Sequence, residues 1–479
     1  MPFDDLRSYL TQLEQTGQLQ RLDTAISRDY ELAWLLRQQR RQQQAGTTLL
    51  CDQVNLSRFP VVTNHLGSVE RLKLLFDIES PAELAERLFA ALQPVLPRNW
   101  FQAMELLPQL GKRQAWLPRQ VESPPCQQVV RLSQDIDLSE LPFGRHWETD
   151  SGPLLRRAML VTQRLEGSTL IVRPLLHVIG PRQIGLRWDD HYELQATFRE
   201  YRERGRSMPV AIVLGGDPVL EVTTSLPLPG KVDRYLLAGM LRQQGVLLAS
   251  GRTIEIQIPA GADLVLEGYL DPAGDVVILE PAVGPSGYTY ESAKGPVIEL
   301  SAMTHQASAI LPDLVFQEQN PETAAIAQVG MQLMTPFLQS MKPEIQDIRW
   351  ISPSGRPQML LVTIDKTMPF QAQQVMHFFW GLGPEWSAKW IVVIDQAIEA
   401  EDHTTLWKRL ETHVHPVRDI LTTKGISWKG DHAAPTSGQG TFVGIDATAK
   451  SPEEGHPRYW PAAASLPDPV RHDLEQKWT

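Results

Sequence analysis

The middle of the chain holds the residues best suited to chemistry. Arg173 sits inside the apolar run TLIVRPLLHVI, where an unpaired guanidinium is expensive to bury, so an anionic partner is expected. That partner is either a ligand group, such as a substrate carboxylate or a cofactor phosphate, or an internal salt bridge. Trp188-Asp189-Asp190-His191-Tyr192-Glu193 packs an imidazole among carboxylates, a composition that offers hard or borderline metal ligands and also suits a solvated acidic loop. Glu280 ends the apolar run VVILE and precedes Pro281, placing a carboxylate where a strand opens into a loop. Burial there would raise its pKa toward general-acid use; the alternative is a strand-end glutamate facing water.

The segment LGGDPVLEVTTSLPLPG could offer backbone N–H groups to a phosphate. It carries no Walker-type or Rossmann-type glycine pattern, and no GxSxG nucleophile elbow occurs, so those nucleotide-binding routes and serine-hydrolase chemistry lack support. A metal hydrolase built on Asp189, Asp190 and His191 would need a second ligand group, and no HExxH-like motif supplies it.

These residues need elements to position them. Phe3, Leu6, Leu10 and Leu13 predict a helix over about 4–16, capped by Asp4 or Asp5 and ended by Gly17. A second helix is expected around Tyr30 to Gln44, strands in TTLLCDQV and FPVVTN, and a third helix from the capping box that starts at Ser80. Prolines at 94, 97, 108, 118, 124 and 125 mark a domain boundary. From about 128 to 310, RRAMLVTQRL, STLIVRPLLHVIG, VAIVLGG, TIEIQIP and ADLVLEGYL read as strands of a mostly antiparallel, barrel-like domain. Beyond about 320, strands MLLVTI and KWIVVID alternate with helices, predicting a smaller α/β domain. A tail rich in Gly, Pro and Ala is expected from about 430, closing on the amphipathic DPVRHDLEQKW.

Composition narrows the classes. At 479 residues the chain suits two or three domains. Its net charge of -11 disfavours a nucleic-acid binder, which needs a concentrated basic surface. Cys51 and Cys126 are the two cysteines, which fits a reducing compartment and argues against a thiolate zinc site. No secretory signal or apolar span of 18 residues is evident, so a cytoplasmic protein is expected.

Several long segments in order, DLRSYLTQLEQTGQLQRL, FPVVTNHLGS, VAIVLGGDPV with SLPLP, YLLAGMLR, IPAGADLVLEGYL, HPVRDI and APTSGQGTFVGIDAT, resemble the UbiD family of prenylated-flavin-dependent decarboxylases along nearly the whole chain. The resemblance implies an N-terminal α/β domain with linker (1–115), a split-barrel, flavin-binding-like domain (116–315) and a C-terminal α/β dimerisation domain with tail (316–479). It implies a carboxy-lyase acting on a small aromatic or α,β-unsaturated acid, with a hydroxybenzoate-type quinone precursor as the family-level substrate. It further implies prenylated FMN, supplied by a flavin prenyltransferase, with manganese and potassium ions, in a homodimer or dimer-based hexamer.

By motif position Arg173 and Glu280 match two of the family's catalytic set and His191 matches the metal histidine. Ser168, Arg173, Arg187, Thr223, Thr224 and Ser225 stand at cofactor-binding positions. Three positions depart from the pattern: Ser168 replaces the metal asparagine, Leu247 the metal glutamate and Pro285 the second catalytic acid. Leucine and proline carry no side-chain oxygen, so neither can ligate a hard cation or pass a proton. Asp189, Asp190 or Glu193 could compensate as ligands, and Glu291 as acid. The departures raise a second reading, a non-catalytic descendant that binds a ligand or partner.

Overall fold

The structure is a computed structural model, and it describes residues 3, 5–41, 46–92, 114–188, 191–226, 228, 232–351, 358–383, 386, 388–395, 403–428, 431–458, 464 and 466–478. The first helix runs Leu6–Gln15. Asp5 caps it by accepting from the Ser8 N–H, and Leu6, Tyr9, Leu10 and Leu13 are buried. The next helices are Glu31–Arg41, Val69–Phe76 and Pro81–Leu92. They accompany a four-stranded sheet in the order Leu19–Leu22, Thr48–Cys51, Val61–Thr63, Leu311–Asp313. Its last strand arrives from far along the chain and pairs parallel to Val61–Thr63, tying the end of the central region to the N-terminal sheet. Pro94, Pro97 and Pro108 of the expected linker lie outside the described residues, as do Asp189 and Asp190.

The central sheet has ten strands, and the long strand Ala293–His305 is its hub. Its main path runs Leu154–Leu155, Leu175–Gly180, Gln183–Arg187, Ala293–His305, Leu264–Leu270, Met208–Leu214, Met159–Gln163, Thr169–Val172. Every pairing in it is antiparallel, and the inner strands Met208–Leu214 and Leu264–Leu270 are buried on both faces. Two predicted strands change form. STLIVRPLLHVIG splits into Thr169–Val172 and Leu175–Gly180, because Pro174 has no N–H for a ladder, and this leaves Arg173 at the break. TIEIQIP shrinks to Gln257–Pro259, because the N–H groups of Arg252 and Thr253 donate to the Glu267 carboxylate instead of to a neighbouring strand. The helix Tyr192–Glu203 was not expected from the acidic cluster; Leu194, Thr197 and Tyr201 are its buried side.

The C-terminal sheet is ordered Ile345–Trp350, Met359–Ile364, Trp390–Ile394, Gln439–Asp446, Ile420–Ile426. Gln439–Asp446 falls in what the composition suggested was tail, yet it sits inside the sheet, parallel to Trp390–Ile394. Its glycines are what hid it. A Cβ on Gly444 would stand 2.4 Å from Met376 Sδ, so glycine admits the helix Gln371–Gly381 against the strand. The terminal helix Asp468–Trp478 leaves Val470, Leu474 and Trp478 exposed. Among the described residues no helix is long and apolar enough to cross a membrane.

Candidate active site

Arg173, at the break between two strands, donates from Nη1 to Ser225 Oγ at 2.6 Å, and its Nη2 lies 3.9 Å from Glu221 Oε1. The side chain is 14% exposed and its Nε has no partner. Burial lowers its pKa, yet a guanidinium stays protonated at neutral pH. The internal salt bridge to Glu221 is present but long, and the buried Nε is left without a hydrogen-bond partner.

Glu221 anchors a buried network that the sequence reading missed. It sits on the short helix Pro218–Thr223, which Asp217 caps. Arg157 Nε pairs with Glu221 Oε1, and Arg157 Nη1 reaches Glu322 Oε2 at 2.5 Å. His65 Nε2 lies 3.1 Å from Glu221 Oε2, and Glu322 Oε1 accepts the Leu66 N–H at 2.9 Å. Burial pushes the Glu221 carboxyl upward, but Arg157, His65 and Arg173 together, Arg157 foremost, outweigh it and hold the pKa down to about 2. Burial, then Arg157, lowers His65, so its ring is neutral and Arg157 is what keeps Glu221 ionised. Two guanidinium groups thus face two carboxylates across the strands, the N-terminal sheet and the start of the helix Pro321–Met341. Arg157 in LLRRAMLV and Glu221 in PVLEV carried the signal that singled out Arg173: a charge inside an apolar run.

Arg156 enters a second buried cluster. Its Nη2 donates to Asp150 Oδ2 at 2.5 Å, and Asp150 also accepts N–H groups from His146, Trp147 and Val283. One carboxylate thereby fastens the 146–150 loop to the hairpin Ala282–Val283/Thr289–Tyr290. His177, 4% exposed, has its pKa lowered to about 4 by burial, then by Arg187 and Arg156. Arg187 lies 5.1 Å from the Tyr290 ring centroid. A neutral His177 in the fold and an unfolded value near 6.5 mean that acid favours the unfolded chain. This stability is full above about pH 6.5 and is lost as pH falls toward 4, about 3 kcal/mol in all. Urea titrations of His177→Gln against the parent chain should show the parent's advantage shrinking by that amount between pH 7 and 4. A difference independent of pH would refute this assignment.

The remaining predicted residues disperse. Glu280 is exposed after the strand Val276–Leu279 and makes no hydrogen bond or ion pair among the described residues; Glu291 is exposed too. Thr223 and Thr224 donate their hydroxyls to the carbonyls of Leu220 and Glu221. Pro285 lies in the hairpin, whose tip is pressed close at Gly287 (φ +80°): a Cβ there would meet Glu318 N at 2.1 Å. The same hairpin touches the C-terminal domain, with the Tyr288 ring tilted against His432 at 4.4 Å between centroids and Tyr290 edge-on to Trp428 at 6.4 Å. A cleft of about 530 Å3 beside it, lined by Arg37, Arg40, Arg41 and Trp147, contains none of the predicted residues.

The metal positions do not fit a divalent ion. Leu247 is 43% exposed. His191 is the N-cap residue of Tyr192–Glu203. Ser168 Oγ donates to Glu166 Oε1 at 2.8 Å and accepts from Arg164 Nη1 at 3.2 Å. Among the described residues no group of three or more His, Cys, Asp or Glu side chains is placed to hold a metal.

Comparison with known proteins decides the family. The models for the N-terminal, Rift-related and C-terminal domains of 3-octaprenyl-4-hydroxybenzoate carboxy-lyase match residues 10–92, 119–319 and 324–447. The chain belongs to the UbiD family. An uncharacterized protein of Aquifex aeolicus is 28% identical over 477 residues, 99% of this chain and 98% of that one. Among solved structures, vanillic acid decarboxylase of Sedimentibacter hydroxybenzoicus in closed form superposes with a TM-score of 0.86 at 20% identity, covering 100% of this chain and 98% of that chain. An evolved dimeric form of the UbiD-class enzyme HmfF from Pelotomaculum thermopropionicum, in complex with prFMN, gives 0.77 at 22% identity, covering 99% and 100%. The mixed α/β fold with a split central barrel is thus the UbiD fold.

Proposed function

We propose that the chain is a UbiD-type carboxy-lyase that removes carbon dioxide, without net oxidation, from an aromatic or α,β-unsaturated acid, working as a cytoplasmic homodimer. A hydroxybenzoate-type quinone precursor is the substrate class that the family description suggests. The observation that carries the reading is the Arg173 guanidinium, nearly buried, with Nη1 fixed by Ser225 and Nε without a partner. A carboxylate meeting the exposed part of this guanidinium accepts charge-assisted hydrogen bonds in a fixed plane. Glu221, held ionised by Arg157, keeps the guanidinium in position from behind.

The exposed Ser225 beside Arg173 fits a flavin bearing polar groups, with Thr223 and Thr224 next to it in sequence; prenylated FMN, when bound, would supply the electron sink for decarboxylation. Manganese does not fit Ser168 and Leu247, so no step runs through it. Glu280 takes a proton from water and delivers it to the carbon that has lost carbon dioxide, for which its loop must bring it to the substrate.

The test is co-expression with a flavin prenyltransferase, mass spectrometry of the bound cofactor, and release of labelled carbon dioxide from a panel of carboxyl-labelled benzoates and cinnamates. Release that depends on the prenyltransferase is expected. Pro285, which carries no proton where the second acid is expected, favours a second reading: a protein that binds such acids without turning them over. A cofactor-loaded chain that releases no label from any acid would leave that reading standing.

A further inference from the structure

The turn between the strands Met159–Gln163 and Thr169–Val172 holds Arg164, whose side chain is 12% exposed. Its Nη1 donates to Ser168 Oγ at 3.2 Å and toward the Thr169 carbonyl at 3.5 Å, while Nη2 donates to Glu193 Oε2 at 3.2 Å. Glu193 lies in the first turn of Tyr192–Glu203, two residues after His191. Two stretches expected to share a metal, around Ser168 and His191, are thus joined by a side-chain cation.

We infer that Arg164 is the built-in cation of this site: its guanidinium stands where the family pattern calls for a divalent ion, and the chain binds no such ion through Ser168 and His191. The acceptors that Arg164 engages, a hydroxyl, a carbonyl and a carboxylate, are the oxygen types a hard cation would take. Ser168 Oγ is already engaged twice, donating to Glu166 and accepting from Arg164, which leaves one lone pair of a neutral hydroxyl, a weak ligand for a hard cation. Leu247 cannot supply the missing oxygen. A guanidinium fork also brings what a spherical ion does not, fixed directions toward two elements at once. The substitutions at 168 and 247 are then parts of one exchange, a mobile cation for a covalently attached one. The inference stands whether or not the chain decarboxylates.

The experiment uses the purified full chain and needs no turnover. Manganese(II) is titrated in and followed by loss of the free-ion EPR signal, with His191→Leu alongside. No stoichiometric binding is expected, and the urea midpoint should be the same in EDTA and in manganese. One equivalent bound by the parent chain and lost in His191→Leu would overturn the inference; manganese bound equally by both proteins lies elsewhere and agrees with it. The role of Arg164 is read from a double-mutant cycle. Arg164→Gln and Glu193→Gln should each lower the urea midpoint, and the double variant should fall no further than the larger single effect. Strict additivity would mean that Arg164 does not join the two stretches.

Discussion

Replacing Arg157 by methionine is expected to lower the unfolding free energy by about 3–5 kcal/mol, measured by urea denaturation at pH 7. The side chain is 1% exposed and shares its charge between Glu221 and Glu322, themselves 8% and 3% exposed. Its removal leaves two carboxylates in a poorly solvated interior. Glu322 keeps the Leu66 N–H, and Glu221 keeps His65, but a neutral imidazole does not compensate a charge. The deficit should depend on pH. The folded Glu221 value of about 2 lies below the ordinary 4.5, so its stabilisation is present above about pH 4.5 and is lost as pH falls toward 2, about 3 kcal/mol in total. Arg157→Met should therefore approach the parent chain in strong acid. Adding Glu322→Gln to the variant should restore part of the loss, because an amide accepts the Leu66 N–H without carrying charge. If the second substitution only adds to the damage, the two residues do not form the pair described.

The same network marks where sequence reasoning reached and where it stopped. Period and caps placed the first helix, whose Asp5 cap and buried Leu6, Leu10 and Leu13 are local features that need no partner. Arg173 was legible because an arginine in an apolar run calls for an acceptor. Which acceptor was not legible, since Glu221 is supplied by a helix that begins 45 residues later, and no local rule connects the two. Gln439–Asp446 was misread for a related reason: Gly444 weakens the strand signal, while the advantage of glycine there comes from a helix packed across it. The metal question divides the same way. The sequence shows that Ser168 and Leu247 are poor ligands, whereas the guanidinium beside Ser168 comes from folding a turn five residues long.

Arg173→Gln is expected to weaken binding of any acid the enzyme turns over by about 100- to 20,000-fold, the loss of two charge-assisted hydrogen bonds at roughly 1.5–3 kcal/mol each, while the urea midpoint hardly moves. The contrast with Arg157 follows from the contacts. Arg173 gives the fold one hydrogen bond to an exposed serine and a 3.9 Å approach to a carboxylate that Arg157 already satisfies. Arg173→Lys separates charge from geometry: an ammonium keeps the charge but cannot present two parallel N–H groups, so it should recover less than a tenth of the lost affinity. Calorimetric titration of the three proteins with the same acid, beside their denaturation curves, checks both halves. Full affinity in Arg173→Lys would make the site a simple charge attraction, and a large fall in stability for Arg173→Gln would make Arg173 part of the scaffold, leaving the carboxylate without a seat.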